Sequence, residues 1–541
     1  MNNKLIMQSL PLVAAVLGNK YGVKVNIGGT EAFTDGKTIN LPALPMECDK
    51  QFIGLARGYI DHEASHIRNT DFDALQKANL TPLEMNIWTS IEDWRVEEKL
   101  AGIFPGCRGN FHWLIQYIFG NSETNQTDNR SPPATLIPDW ILLTVRSWHV
   151  PDLAAQRDKD ESAIESQYPG LPDKIKSILQ EVRSKCATTD DSIRYAKKIV
   201  DLLKFKTNEN NRSQGPCSKA FGKPKNSFKA APGPIPTSDQ NQSDEPKTQL
   251  EKLIHAKADQ LPKGMGEILQ EHLAKESPTG AQDKVSVAVV GKRDFNILDT
   301  GNSHELSKST TALKTRLQST LQSILLKRSH ISRKGRLDNR QLHKVAISDP
   351  RMFIKPEERQ GFNTAVHILI DCSSSMRRRM DLTTQSCYAL AKALGSIKGV
   401  NVGVTAFPAD PPKIHGCRNF EIPAVCPVIR HGERIHSRFH TRASGCTPMG
   451  EAIWWALQQM VSLPESRKII LVLTDGSPDY LSNTVEAIDQ GKKLGFEFYG
   501  IGIDTSSIKS ILPNSSRSIN NLSELAPAMF EIMKTVFSKN K

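Results

Sequence analysis

Two histidines four positions apart, with a glutamate beside the first, are the residues of this chain best spaced for metal chemistry: His62-Glu63-Ala64-Ser65-His66. On a helix, positions i and i+4 share a face, so both imidazoles can reach one Zn²⁺. Glu63 then stands where a carboxylate takes a proton from metal-bound water and passes it to a leaving amine. A third protein ligand is required, with one coordination position left open. The expected ligand is Glu92, 26 residues after His66 in Trp88-Thr89-Ser90-Ile91-Glu92-Asp93-Trp94-Arg95. Asp93 is expected to orient a histidine, or to be the ligand itself if the helical phase differs by one residue. Glu97 is a lesser candidate; His112, His149 and Arg95 are candidates for stabilising an oxyanion or supporting the ligands, with the two histidines read as ordinary by default.

A second constellation lies near the other end of the chain. Asp371-Cys372-Ser373-Ser374-Ser375 follows an apolar strand candidate, Thr447 stands in Gly445-Cys446-Thr447-Pro448, and Asp475 follows Leu473-Thr474. Alternate positions in Asp-x-Ser-x-Ser let Asp371, Ser373 and Ser375 converge from one loop on a hard cation. Thr447 and Asp475 would arrive from two further loops. An all-oxygen set suits Mg²⁺ or another divalent cation and leaves room for water or a partner's carboxylate. The three loops fall at the carboxyl ends of strands, where α/β sheets form ligand sites.

On these motifs, residues 360–541 resemble a von Willebrand factor A-type domain. The resemblance implies an ion site that grips the Asp or Glu of a partner protein. Gly335-Arg336-Leu337-Asp338, with Arg340, Leu342 and the basic helix before them, is similar to the T subunit of aerobic cobaltochelatase. That resemblance, read over roughly 250–541, implies a hexameric, MoxR/CobS-like AAA+ ATPase as partner. The His62-Glu63/His66 site resembles the glutamate-ligated branch of the zincin metallopeptidases. Ile67 to Asp73 lack the glycine and third histidine of the metzincin continuation.

The elements that must position these residues follow from periodicity. Phe52, Leu55, Ala56, Tyr59, Glu63, His66 and Ile67 recur at helical spacing over 50–69, and a second helix runs from Pro82 to about Leu100. Ala32 to Leu41 read as a hairpin around Asp35-Gly36, placed like the substrate-facing edge strand of a zincin and able to bind an extended peptide by strand addition. Residues 207–248 are rich in Asn, Ser, Gly, Pro, Lys and Gln, with too little apolar surface to offset chain entropy. From about 360, buried strand candidates (365–370, 402–407, 468–473, 496–503) alternate with helices, the pattern of a mostly parallel covered sheet. The expected architecture is multidomain. A mainly helical, zincin-like α+β domain (1–205) precedes a flexible linker (206–250), a helical pre-domain region (251–359) and a C-terminal α/β, Rossmann-like A-type domain (360–541).

Length and composition bound the function. At 541 residues more than one core is expected. The net charge of +12 raises the prior for acidic partners, but no aromatic-studded basic module accompanies it, so nucleic acid is not the expected ligand. Nine cysteines without a CxxC pair read as free thiols of a reducing compartment. No apolar run is long enough to span a bilayer, so the cytoplasm is expected. Two functions compete. One is a zinc-dependent peptidase coupled to a partner-binding domain. The alternative is a non-enzymatic adaptor of an AAA+ ATPase, remodelling a client or inserting a metal.

Overall fold

The computed structural model describes residues 9–46, 49–120, 135–212, 246–278, 284–298, 363–412 and 422–538, with short pieces between 311 and 355. The chain divides into two compact units, one of residues 1–49 with 273–541 and one of residues 50–272. The linker proposed over 206–250 lies mostly outside the described residues, as do the basic helix over 307–326 and Asp338, Arg340 and Leu342 of the upstream motif.

The N-terminal segment forms α1 (Leu10–Tyr21), β1 (Lys24–Ile27), β2 (Phe33–Thr34), β3 (Thr38–Leu41) and β4 (Leu44–Pro45). The expected hairpin is present, with Phe33 opposite Asn40 and Gly36 at φ 79° in its turn. Its second strand, β3, also pairs in parallel with β1. These residues cluster with the C-terminal sheet, a different grouping from the 1–205 domain drawn on the sequence. The reason is direct bonding: β4 pairs with Lys284–Val285, Val287 N–H donates to Ile27 O at 3.0 Å, and Gln458 Nε2 donates to Pro11 O at 2.8 Å. The hairpin therefore belongs to the unit that lacks the histidine pair, which removes the edge-strand argument for a zincin.

The helical unit opens with α2 (Lys50–Asn69), α3 (Phe72–Ala78) and α4 (Pro82–Ile103). It continues through α5 (Gly106–Ile115), α6 (Leu136–Arg146), α7 (Ala154–Gln167), α8 (Leu171–Lys185), α9 (Thr189–Arg212) and α10 (Pro246–Ile254). It ends in α11 (Met265–Glu276) as far as His272. The start of α4 is set by a capping box, in which Thr81 Oγ1 accepts from Glu84 N–H and the Glu84 carboxylate accepts from Thr81 N–H. Pro82 occupies the first turn, where its missing N–H costs nothing. Trp88, Ile91, Trp140, Ile141, Ile175 and Leu203 build the core that α4 shares with α6, α8 and α9. Close approach of α5 to α2 depends on Gly54 and Gly58, where an added Cβ would lie 2.5 Å from Trp113 and 2.9 Å from Leu114.

The sheet unit continues with short strands β5 (Lys284–Val285), β6 (Val289–Val290), β7 (Asn296–Ile297), β8 (His330–Ser332), β9 (Arg336–Leu337) and β10 (Phe353–Lys355). Then come β11 (Thr364–Asp371), β12 (Val400–Ala409), β13 (Ala424–Ile429), β14 (Arg438–His440), β15 (Arg467–Thr474), β16 (Phe496–Ile503) and β17 (Ser516–Ile519). Its main sheet has the order β17-β16-β15-β11-β12-β13-β6. β11 pairs in parallel with β12 and β15, and β16 and β17 extend the parallel run. Every residue of β11 is buried, as expected of a central strand covered on both faces. Helices α12 (Met380–Gly395), α13 (Met449–Val461), α14 (Leu481–Lys493) and α15 (Leu525–Ser538) complete the α/β unit.

Candidate metal centres

In the helical unit, α2 and α4 bring His62, His66 and Asp93 together, with one donor atom of each within 4.8 Å of the others. The hydrogen bonds around them set which ring nitrogens face the cluster. His62 Nδ1 lies 2.8 Å from Glu97 Oε1, and a carboxylate can only accept, so Nδ1 carries the proton and Nε2 is left for a metal. Thr70 makes the same choice at His66. Its hydroxyl donates to Glu92 Oε1 at 3.0 Å and lies 3.0 Å from His66 Nδ1, which must therefore be the donor. His66 Nε2 then faces Asp93 Oδ1 at 3.1 Å.

Arg146 closes the arrangement. This fully buried guanidinium donates to Asp93 Oδ2 at 2.9 Å and to Glu97 Oε2 at 2.6 Å. Glu63, Asp93 and Glu97 are all buried, so three carboxylates and one guanidinium leave a formal charge of −2 beside two neutral imidazoles. A divalent cation balances that charge, and two imidazoles with a carboxylate are a donor set that such an ion accepts. Protons take its place otherwise. Burial opposes charge on His62, but the Glu97 bond and the neighbouring Asp93 and Glu63 carboxylates raise it to about 9. Burial likewise pushes Asp93 up, yet the His66 bond and the charges of His62 and Arg146 hold it at about 2. Glu63 is raised by burial, with both histidines only partly offsetting it.

Glu92, the expected third ligand, is not in this group. Its carboxylate accepts from Arg95 at 2.6 and 2.8 Å, from Ser192 at 2.7 Å and from Thr189 at 3.0 Å. One residue along a helix is about 100° of rotation, so Asp93 faces the histidines while Glu92 faces α9. Glu97 orients His62 and is not itself among the clustered donors. His112, His149 and Arg95 are engaged elsewhere, the histidines with His149 O and Glu98. Thr70 and Arg146 went unnoticed in the sequence; neither stands in a motif, and only the fold brings Arg146 to α4. The cluster is also covered: a Cβ built on Gly266, at the start of α11, would lie 3.4 Å from His62 Nε2 and 3.7 Å from Glu63 Oε1.

The second centre sits where β11 and β15 end. Ser373 N–H donates to Asp371 Oδ1 at 2.8 Å, Ser373 and Ser375 hydroxyls lie 3.0 Å apart, and Ser375 donates to Asp475 Oδ1 at 2.7 Å. Thr474 donates to Asp371 Oδ2 at 2.5 Å, a partner that the sequence reading passed over. Burial lifts Asp371 to about 6 against the Thr474 and Ser373 bonds. Thr447 is buried, its carbonyl accepting from Met449 and Asp479 N–H; among the described residues no hydrogen bond joins its hydroxyl to the other four. Arg379 Nη1 donates to Asp475 Oδ2 at 2.6 Å, so a cation already touches one of the expected ligands. Oxygen donors alone surround the position, which fits a hard cation. Ser375 is exposed, so this centre opens to solvent, whereas in the histidine centre His62 and Asp93 are buried and His66 is half-buried.

Comparison with known proteins finds two separate matches along the chain. Residues 6–216 match the family described as cobalamin biosynthesis protein CobT, and residues 365–532 match the von Willebrand factor type A domain. The chain joins a CobT-like domain to a von Willebrand factor A domain. The CobT-like match covers residues N-terminal to the stretch around Gly335 that resembles the T subunit. Its matched span includes the His62-Glu63/His66 motif, whose HExxH-type cluster thus sits inside the CobT-like domain.

A curated relative, the uncharacterized protein YojO of Bacillus subtilis (strain 168), is 22% identical over 259 residues, 43% of this chain and 40% of YojO. The match thus spans less than half of that relative's length. Solved structures with local likeness include proximal thread matrix protein 1 of the mussel byssus, with TM-score 0.27, 18% identity and coverage of 32% of this chain and 48% of that one. Another is the pilus tip protein Mfa5 of Porphyromonas gingivalis, with TM-score 0.26, 12% identity and coverage of 34% and 97%. No helix among the described residues is long and apolar enough to cross a membrane.

Proposed function

We propose that this protein is a non-enzymatic adaptor, in which the A-type domain grips an AAA+ ATPase through a divalent ion while the histidine centre holds the helical unit together. The observation that carries this reading is the burial of the groups that would do the chemistry: His62 is 2% exposed and Glu63 5%, while His66 is half-buried. A hydrolytic centre needs an open coordination position that a polypeptide can reach. Gly266 instead stands over the metal-facing nitrogen of His62. The CobT-like match supports a chelatase-type assembly, with metal insertion or client remodelling as its output.

In this reading Zn²⁺ is the ion at His62, His66 and Asp93, because imidazole and carboxylate donors suit it. Mg²⁺ is the ion at Asp371, Ser373, Ser375, Thr447 and Asp475, where all donors are oxygen. A bound Mg²⁺ would offer a coordination position to an Asp or Glu of the ATPase. Buried Asp371 at the strand end and exposed Ser375 would be among the residues that hold this ion, and the exposure of Ser375 would give a partner access to it. A cytoplasmic location fits the free thiols, among them buried Cys107, Cys372 and Cys387.

A peptidase remains the second reading because Glu63 is buried beside the two histidines, and burial raises its pKa in the direction that suits proton transfer. One pair of variants decides. Asp371→Ala should abolish Mg²⁺-dependent association with a purified MoxR/CobS-like AAA+ ATPase, and Glu63→Gln should leave that association intact. Undiminished association by Asp371→Ala would sink the adaptor account. Peptide hydrolysis by the wild type that disappears in Glu63→Gln, with zinc content unchanged, would establish the peptidase in its place.

A further inference from the structure

Asp93 and Glu97 turn one face of α4 toward the histidines. The next residues, Trp94 and Glu98, turn the neighbouring face toward a cavity of about 720 Å³ within the helical unit. Trp148, from the segment after α6, and Arg183, near the end of α8, form its other side, and Lys99 and Arg108 also reach it. This volume lies within the range that takes ligands of nucleotide size, roughly 300–1,000 Å³.

The wall has an aromatic part and an ionic part. Trp94 and Trp148 meet edge to face with ring centroids 4.9 Å apart, and the Arg183 guanidinium lies 5.7 Å from the Trp148 centroid. Stacking of this kind holds the planar fork of an arginine in one orientation. Glu98 is the sole carboxylate of the lining, and Arg108 and His149 already share it at 2.7 and 2.8 Å. Arg95 is committed to buried Glu92. Lys99 and Arg183 make no ion pair among the described residues, so two cations face the cavity without a counter-charge.

We infer that this cavity binds a small organic anion, a flat ring carrying a carboxylate or phosphate. The ring lies against the Trp148–Arg183 stack and the acid group on Arg183 and Lys99. Charge-assisted bonds from the guanidinium fork orient the acid group, and aromatic contact selects a planar body over a bare ion. The inference is independent of the adaptor reading, since neither metal centre takes part.

The test is calorimetric titration of the full chain with adenosine monophosphate and 2-naphthoate as probes, with tryptophan fluorescence in parallel. Each probe should bind saturably at one site, and uncharged adenosine should bind at least about tenfold more weakly. Arg183→Ala and Lys99→Ala, both at exposed positions, should each weaken the probes about tenfold without changing the melting temperature or the metal content. Trp148→Leu should weaken them as well and remove the fluorescence response. Three results would overturn the inference: no saturable binding of either probe up to about 1 mM, affinities indifferent to both charge variants, or inorganic phosphate or a deca-glutamate peptide binding as tightly as the aromatic anions.

Discussion

Glu97 Oε1 lies 2.8 Å from His62 Nδ1, and through its other oxygen Glu97 accepts from Arg146. A carboxylate in this place fixes the tautomer and the ring plane of a metal-binding histidine. Replacing Glu97 by Gln keeps the shape but weakens the acceptor and can present an N–H to Nδ1. Metal affinity at the histidine centre should fall about tenfold to hundredfold, measured by chelator competition. An unchanged affinity would mean that Glu97 serves Arg146 alone.

Asp93 and Glu92 are neighbours with opposite duties, and two variants separate them. Asp93→Asn should strip the centre of metal. Glu92→Gln should keep most of the metal yet leave Arg95 buried without its counter-charge, a loss of about 3–5 kcal/mol. Metal analysis and chemical denaturation of both variants check this. The reverse outcome, metal lost only with Glu92, would restore the ligand assignment made from helical spacing.

At the second centre Arg379 competes with an incoming ion for Asp475. Arg379→Ala should tighten Mg²⁺ binding, by no more than about tenfold because the guanidinium is partly exposed and screened. Titration at two salt concentrations reads this directly, and the gain should shrink at the higher one. Weaker binding in the variant would instead make Arg379 the group that holds Asp475 in position.

His367 Nδ1 and His431 Nε2 lie 3.0 Å apart in the sheet unit, and His367 Nε2 reaches Thr405 Oγ1 at 3.0 Å. One proton fits between the two rings, so a second is resisted. Burial first, and the His431 charge second, hold His367 well below 6.5. Burial lowers His431 to about 4. A depressed histidine favours the folded state above the unfolded pKa and loses that advantage as pH falls, because the unfolded chain protonates first. The wild type should therefore lose more stability between about pH 6.5 and 4 than His431→Asn does, by denaturant melts across that window. Parallel curves for the two proteins would rule out this pair as the cause.

Much of this architecture was legible in the chain. The apolar run Ala365 to Ile370 ends at Asp371, and β11 does the same. Helical spacing over 50–69 placed His62 and His66 on one face of α2, where the rings lie 4.9 Å apart. The third donor was harder. Spacing favours Glu92, with adjacent Asp93 as its alternative and Glu97 as a lesser candidate, and no local signal chooses among them.

What the sequence determined by itself is the set of local geometries: an i, i+4 histidine pair on a helix, an Asp-x-Ser-x-Ser loop at a strand end, and buried strands alternating with helices. Each follows from backbone periodicity, which acts over a few residues. Tertiary structure alone decided the phase of α4 against α2, and so Asp93 over Glu92. It alone brought Arg146, 53 residues after Asp93, to bridge Asp93 and Glu97, and set Gly266 against His62 Nε2. It also moved the first 49 residues into the sheet unit through β4 and Ile27. The physical reason is common to all four. A buried charge or an unpaired strand edge is satisfied by whichever group packing brings to it, and packing joins residues whose separation along the chain carries no periodic signal.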